Sequence, residues 1–185
     1  ARAALEAGAQ VVLISGPVSL EPPAGARLVK VTSACDMLAA VEHELGNTDI
    51  FVSVAAVADY RPNGDTRQKM KKNGGGMTLE LVANPDILEY VAGLPYPPFC
   101  VGFAAETEDL DRNAEAKRNR KKLPLLAGNL AQDAIGTDDS DLTLYDDAGT
   151  HQLGRAPKIE QARRLVEHIA LLVSKKSVDP THDYR

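Results

Sequence analysis

Cysteine is scarce in this sequence: the 185 residues contain only Cys35 and Cys100, and both lie within apolar stretches. A disulfide framework is therefore not expected, and a reducing cytoplasmic setting is the natural one. Long apolar runs are missing as well, since none approaches the ~20 residues that cross a bilayer. The N-terminus also lacks the pattern of a secretory leader, so we expect no membrane partner.

The histidines form no metal-binding pattern in the sequence. They lie far apart, and none has ligand spacing with either cysteine. The four are His43, His151, His168 and His182. The sequence therefore predicts no metal ion held by the protein itself.

An excess of positive charge is also lacking, since the net charge is −5. A broad basic surface for nucleic acid is therefore not expected. Positive charge is nevertheless concentrated in segments 67–72 and 117–122, which favours a compact polyanion such as a triphosphate as partner. The alternative is that both segments are solvated basic faces. The clustered residues are Arg67, Lys69, Lys71, Lys72, Lys117, Arg118, Arg120, Lys121 and Lys122.

Short apolar runs alternate with helical patterns along the chain, which predicts one three-layer α/β domain over 1–185 with a mostly parallel sheet. Helices are predicted after a capping box formed by Ser33 and Asp36, at 85–91, after a cap at Thr107, and at 158–175. Strands are predicted at 10–15, 27–31, 49–54, 77–82, 99–104 and 124–129, followed by a hairpin over 142–154 around Asp147-Ala148-Gly149.

The first residues, ARAALEAG, have a helical pattern and lead directly into the first predicted strand. In a doubly wound fold such a helix follows a strand and a glycine-rich turn. We therefore expect that the opening strand and its loop are absent from the numbered chain.

Several motifs of nucleotide and nucleophile chemistry are absent, namely GxGxxG, GxxxxGK[ST] and GxSxG. A site without a nucleophile motif works by positioning reactants and neutralising charge. In open α/β sheets that site lies beyond the carboxyl ends of the strands. The candidate exit loops are 16–17, 55–62, 104–107 and 128–129.

Three local features indicate how a nucleotide-like anion would be held. Asp59 can accept hydrogen bonds from ribose hydroxyls or pair with a lysine, although a simple turn role is the alternative. Asn84 is predicted as N-cap of the helix at 85–91, with Pro85 in the first turn. The free N–H groups there suit an anion or a base edge.

Five sequence blocks occur in order: SVAAVADYRP at 53–62, KMKK at 69–72, NPDILEYVA at 84–92, VGFAAET at 101–107 and KRNRKKL at 117–123. Together they resemble the synthetase domain of bacterial phosphopantothenoylcysteine synthetase, the phosphopantothenate–cysteine ligase of coenzyme A biosynthesis. The resemblance spans about residues 1–175. That domain is commonly fused behind a flavin-dependent decarboxylase, so FMN is expected only on such a fused domain.

The resemblance implies a Rossmann-like fold and a homodimer. It also implies that the phosphopantothenate carboxylate attacks the α-phosphate of CTP, which gives an acyl-cytidylate and pyrophosphate. The amine of L-cysteine then displaces CMP, and Mg²⁺ accompanies the triphosphate.

The resemblance also assigns site residues. Lys69 is the expected catalytic residue, because it would stabilise the charge that develops as pyrophosphate leaves. Lys117 and Lys121 are four residues apart and so share one helix face. The family positions that contact CTP correspond to Ser53, Val54, Ala55, Asp59, Lys69, Pro85, Asp86, Ile87, Leu88, Phe103, Lys117 and Lys121.

The chain departs from the family pattern in two places. The family's Asn-His-Ser-Ser-Gly loop before the first helix has no counterpart here. Leu130 stands where family members often have aspartate after Asn129, so Asn129 is assigned only a backbone-turn or base-proximal role.

Two other functions stay open at this point. One is an NAD(P)-dependent oxidoreductase of Rossmann class, whose glycine fingerprint would lie upstream of the numbered chain. The other is a non-catalytic nucleotide-binding module, which would bind CTP without releasing pyrophosphate.

Overall fold

A computed structural model of the chain describes residues 1–64, 76, 78–130 and 138–178, with side chains as far as 175. Helices and strands alternate through most of these ranges. In chain order they are α1 (Arg2–Glu6), β1 (Val12–Ser15), β2 (Arg27–Lys30), α2 (Ala34–Glu44), β3 (Ile50–Ser53), β4 (Tyr60–Pro62), β5 (Leu81–Ala83), α3 (Ile87–Ala92), β6 (Phe99–Glu106), α4 (Leu110–Lys121), β7 (Leu125–Leu130), β8 (Asp139–Asp146), β9 (Gly149–Pro157) and α5 (Lys158–Val178).

The main sheet has five strands in the order β3-β6-β7-β8-β9. Strands β3, β6 and β7 run parallel, and the hairpin β8–β9 adds two antiparallel strands. Strands β1 and β2 form a separate parallel pair. The predicted α/β class, the parallel centre of the sheet and the C-terminal hairpin are confirmed, and the hairpin closes between Asp146 and Gly149.

Strand β6 is buried on both faces, because successive side chains point to opposite sides of a sheet. Phe99 and Val101 belong to the apolar cluster that includes residues of α5. Cys100 and Ala104 belong to the cluster that includes residues of α2, α3 and α4. Helices therefore cover both faces of the sheet, as the predicted three-layer arrangement requires.

Gly102, in the middle of β6, lies where there is no room for a side chain. A Cβ atom at this position would lie 2.7 Å from Cδ1 of Leu123 and 3.0 Å from Cδ2 of Leu88. The glycine therefore lets α3 pack directly on the strand that leads to Phe103.

Local cap chemistry was predicted correctly at α2, where Ser33 and Asp36 form a reciprocal capping box. The cap predicted at Thr107 is wrong, because α4 begins at Leu110 and Asp109 occupies the N-cap position with a φ of 50°. Strand β6 extends to Glu106 instead, since its ladder with β7 continues to that residue.

The strand predicted at 77–82 is also corrected. The structure has a shorter strand, β5, which pairs antiparallel with β4 in a small separate sheet. Its partner β4 lies at Tyr60–Pro62, within the segment 55–62 that is predicted as an exit loop. Both strands are largely exposed, so alternation of apolar and polar residues does not correspond to one buried and one exposed face here.

Helix α1 lies against α5, although the two are far apart in the sequence. Nε of Arg163 donates a hydrogen bond of 2.7 Å to the Glu6 carboxylate across this contact. Within the described ranges, no helix combines the length and apolar character needed to cross a membrane.

We predict that Gly102→Ala lowers the free energy of unfolding by about 1–3 kcal/mol, because the added methyl overpacks the contact between β6, Leu88 and Leu123. Urea unfolding measures this change. Gly46→Ala is the matched control, since a Cβ atom at Gly46 would meet no atom within 4 Å. An equal loss of stability in both variants would show that Gly102 is not needed for the close packing of β6 against Leu88 and Leu123.

Candidate functional site

The candidate site lies at the carboxyl ends of β3 and β6, which are neighbours in the sheet. Ser53 ends β3 and is paired with Gly102, so it lies beside the backbone that leads to Phe103. The loop after β3 is attached to the segment before α3, because the backbone N–H of Asn84 donates a 2.7 Å hydrogen bond to the backbone carbonyl of Asp59. Three of the sequence blocks, 53–62, 84–92 and 101–107, therefore meet at one edge of the sheet.

Helix α3 begins with Asp86 as its N-cap, and the prediction of Asn84 in that role is wrong. The Asp86 carboxylate accepts a 3.0 Å hydrogen bond from the Glu89 amide. The side chain of Asn84 is committed elsewhere: its Nδ2 donates to the Ala58 carbonyl at 2.8 Å and its Oδ1 accepts from Arg61 at 3.1 Å. Tertiary contacts thus move the helix start beyond Pro85.

This change of cap alters what the start of α3 can bind. A carboxylate at a helix N-terminus already balances the positive end of the helix dipole. A phosphate placed there would be repelled by Asp86, whereas a base edge or a hydroxyl group would not. Ile87 and Leu88 are each 6% exposed, so their side chains belong to the core and offer little surface to a ligand.

Lys121 pairs with Asp86 and connects the end of α4 to the start of α3. The Lys121 side chain is 6% exposed and that of Asp86 is 46% exposed. Burial alone would raise the pKa of Asp86, but the hydrogen bonds from Lys121 and from the Glu89 amide lower it below its usual value. Asp86 is therefore held as a charged carboxylate.

Lys117 lies one turn earlier on α4, and its Nζ donates to the Phe103 carbonyl at 2.7 Å. Burial lowers the pKa of Lys117, and the charge of Lys121 lowers it further, although the carboxylates of Glu106 and Asp86 oppose this. An ammonium has three donors, and the carbonyl takes one of them. A bound anion would compensate this partly buried charge, so Lys117 is well placed to bind a phosphate.

The other predicted residues fall into two groups. Val54, Ala55 and Asp59 are exposed in the loop after β3. Lys69 lies outside the described residues, as do Lys71 and Lys72, so its catalytic assignment stays a prediction.

Asn129 lies at the end of β7, paired in register with Ala105. Its Nδ2 donates to the Leu130 carbonyl at 3.1 Å. The side chain is thus near the same edge of the sheet, and a base-proximal role stays a prediction.

Sequence reasoning missed two features. Arg61 donates to the Ala83 carbonyl at 2.8 Å as well as to Asn84, and so fastens the loop after β3 to the segment before α3. The fold also brings His151 and His168 onto Asp146, although the two histidines are 17 positions apart in the sequence. Neither arrangement follows from a local pattern.

Residues 1–172 match the family model described as the DNA/pantothenate metabolism flavoprotein C-terminal domain. The chain belongs to this family. The coenzyme A biosynthesis bifunctional protein CoaBC of Vibrio vulnificus is 40% identical over 179 residues, and that of Bacillus subtilis is 39% identical over 177. These matches cover 94% and 93% of this chain but 45% and 44% of the relatives, so the chain spans less than half of their length.

Solved structures of the family have the same fold. The crystal structure of the C-terminal domain of a CoaBC protein is similar with a TM-score of 0.76 and 31% identity, covering 93% of this chain and 79% of that one. The family protein from Streptococcus pneumoniae has the same TM-score at 18% identity, covering 92% of this chain and 84% of that one. The family resemblance drawn from the five sequence blocks and the Rossmann-like fold are confirmed.

We predict that Asp86→Asn destabilises the chain by about 1–3 kcal/mol at pH 7, because water screens the 46% exposed carboxylate but Lys121, which is 6% exposed, loses its counter-charge. Asparagine caps helices as well as aspartate does, so the substitution removes the charge but keeps the cap. The folded-state pKa of Asp86 is lowered. Its stabilisation is therefore complete above the unfolded pKa of about 3.9 and is lost as the pH falls through the folded value.

Urea unfolding at pH 7 and at decreasing pH measures this difference, which should narrow below about pH 4. Asp147→Asn is the control, because Asp147 pairs with Arg118 but its side chain is 92% exposed. A difference that stays constant down to acid pH would show that the Asp86–Lys121 pair does not stabilise the fold.

Proposed function

We propose that this chain carries the phosphopantothenate–cysteine ligase activity of coenzyme A biosynthesis and uses CTP to activate the carboxylate. The observation that carries the proposal is the grouping of Lys117, Lys121 and Asp86 at the edge formed by the ends of β3 and β6. It is supported by the identity of about 40% to bifunctional coenzyme A biosynthesis proteins. The preference for CTP over ATP is inferred from the family resemblance that the five sequence blocks carry.

In the proposed reaction the carboxylate of phosphopantothenate attacks the α-phosphorus of CTP. The bond to the β-phosphate oxygen breaks, which releases pyrophosphate and leaves an acyl-cytidylate. The amine of L-cysteine then attacks the acyl carbon, loses a proton, and displaces CMP. Mg²⁺ enters with the triphosphate as part of the substrate.

The positive groups have separate tasks in this proposal. Lys117 binds a phosphate oxygen with donors that Phe103 does not take, because an anion compensates its partly buried charge. Lys121 is engaged with Asp86 and keeps that carboxylate in place as the cap of α3. Lys69 neutralises the charge of the departing pyrophosphate.

The cytidine is proposed to lie between the loop after β3 and the start of α3. Ser53, Val54 and Ala55 offer backbone groups, and Asp59 accepts from the ribose hydroxyls. The backbone from Pro85 to Leu88 faces the base, which agrees with the negative cap at Asp86. Neutral polar edges fit this position better than phosphates do.

The proposal extends to the rest of the protein. The relatives are bifunctional, and the chain spans less than half of their length. We propose a fused decarboxylase domain that carries FMN, an upstream strand and loop that complete the acyl-cytidylate site, and a homodimer as the active unit.

Calorimetric titration with CTP and with ATP, each with Mg²⁺, tests the nucleotide site directly. We expect CTP to bind clearly more tightly than ATP. Pyrophosphate release that depends on phosphopantothenate then tests the chemistry in a protein extended to include the upstream loop. CTP binding without pyrophosphate release would indicate a non-catalytic module, and binding of NAD(H) in place of CTP would favour an oxidoreductase.

We predict that Lys117→Gln weakens CTP binding by roughly 10- to 100-fold, because a charge-assisted hydrogen bond contributes about 1.5–3 kcal/mol. Lys122→Gln removes the same charge from an exposed residue just past the end of α4, and it should change affinity by less than about twofold. Calorimetry compares the two. Equal losses would mean that only the general positive charge of this helix end matters.

We predict that Lys69→Gln lowers turnover by roughly 10²–10³-fold, the usual scale for one lost charge stabiliser. CTP affinity should fall much less, since the charge of the leaving group develops only in the transition state. Steady-state pyrophosphate release measures the effect, and wild-type turnover would remove Lys69 from the catalytic role.

A further inference from the structure

Asp146, His151 and His168 form a cluster at the turn of the β8–β9 hairpin, away from the residues assigned to the nucleotide. Asp146 ends β8, His151 lies on β9 and His168 lies on α5. One ligand atom from each residue can be chosen so that all three lie within 4.8 Å of one another. Two imidazoles and one carboxylate from three elements thus lie close to one another.

The carboxylate contacts both rings at distances close to the spacing of two ligands on one ion. Oδ1 of Asp146 is 3.0 Å from Nε2 of His151, and Oδ2 is 2.8 Å from Nε2 of His168. Two donors that are each about 2.1 Å from a zinc ion are about 3.4 Å apart at the tetrahedral angle, so each of these contacts would open by about 0.5 Å to admit the ion. An ion between the carboxylate and the two rings would therefore take the place of two N–H···O contacts.

The carboxylate is held in place independently of the histidines. Its side chain is 2% exposed, and Oδ1 accepts hydrogen bonds from the Ala148 amide at 2.8 Å and the Gly149 amide at 3.1 Å. Hydrogen bonds of this kind orient the ligands of metal sites. A buried carboxylate that the backbone already positions is a preformed ligand.

Exposure increases from the carboxylate outwards. The His168 side chain is 19% exposed and that of His151 is 37% exposed. Solvent can therefore reach the cluster from the His151 side, which provides an entry path for an ion. Sites with three protein ligands and one water are a common zinc arrangement.

We propose that Asp146, His151 and His168 bind a zinc ion that joins the β8–β9 hairpin to α5. The ligand set favours a transition metal such as zinc, because imidazole suits Zn²⁺ whereas Mg²⁺ and Ca²⁺ take oxygen ligands. The site is separate from the Mg²⁺ that accompanies CTP. It does not depend on the ligase activity.

The test is calorimetric titration of the chelator-treated chain with ZnCl₂ in buffer that contains Mg²⁺. We expect one zinc per wild-type chain. His151→Gln and His168→Gln should each weaken binding by at least roughly tenfold, because each removes one ligand. His43→Gln removes an exposed histidine outside the cluster and should leave the zinc affinity unchanged.

Two further measurements separate a lost ligand from a lost fold. Circular dichroism should be the same for wild type and His151→Gln, since His151 is partly exposed on the hairpin. Co²⁺ should give visible d–d absorption with wild type and His43→Gln, but not with His151→Gln. Absence of zinc binding in wild type would overturn the proposal, and so would equal zinc affinity in a His151→Gln/His168→Gln double variant. The cluster would then serve only as two histidine–carboxylate hydrogen bonds that join the hairpin to α5.

Discussion

The burial of β6 on both faces is the constraint on which the rest of this structure depends. Val101 is 0% exposed and Cys100 is 1% exposed, although they point to opposite sides of the sheet. A strand in this position must be apolar throughout and must leave space where helices approach closely. Gly102 supplies that space, and the backbone beyond it provides the carbonyl that Lys117 contacts. Core packing and the placement of the candidate site therefore depend on one strand.

Asp86 links the two helices beside that strand, because one carboxylate both caps α3 and pairs with Lys121 of α4. The pair leaves Lys117 as the lysine on this face that is available to an anion. It also places a negative charge at the start of α3. Asp86 and Lys121 thus balance each other at the start of α3, whereas the positive charge of Lys117 near Phe103 has a carbonyl as its hydrogen-bond partner and is available to a phosphate.

Sequence patterns predicted the features that depend on local chemistry. The apolar run at 99–104, the capping box at Ser33 and the hairpin turn near Asp147 were all found where the patterns placed them. The caps predicted at Asn84 and Thr107 failed, because contacts with the Ala58 carbonyl and the extension of β6 decide where those helices begin. The spacing of the two α4 lysines placed them on one face, but their different partners come only from the folded chain, as does the His–Asp–His cluster.

The contact between α1 and α5 has a consequence for the order of folding. Glu6 and Arg163 are 157 positions apart, so this contact cannot form until most of the chain has been synthesised. On the ribosome α1 therefore remains without this stabilising neighbour until α5 has emerged, and a protein truncated before α5 would expose the early helix to proteases.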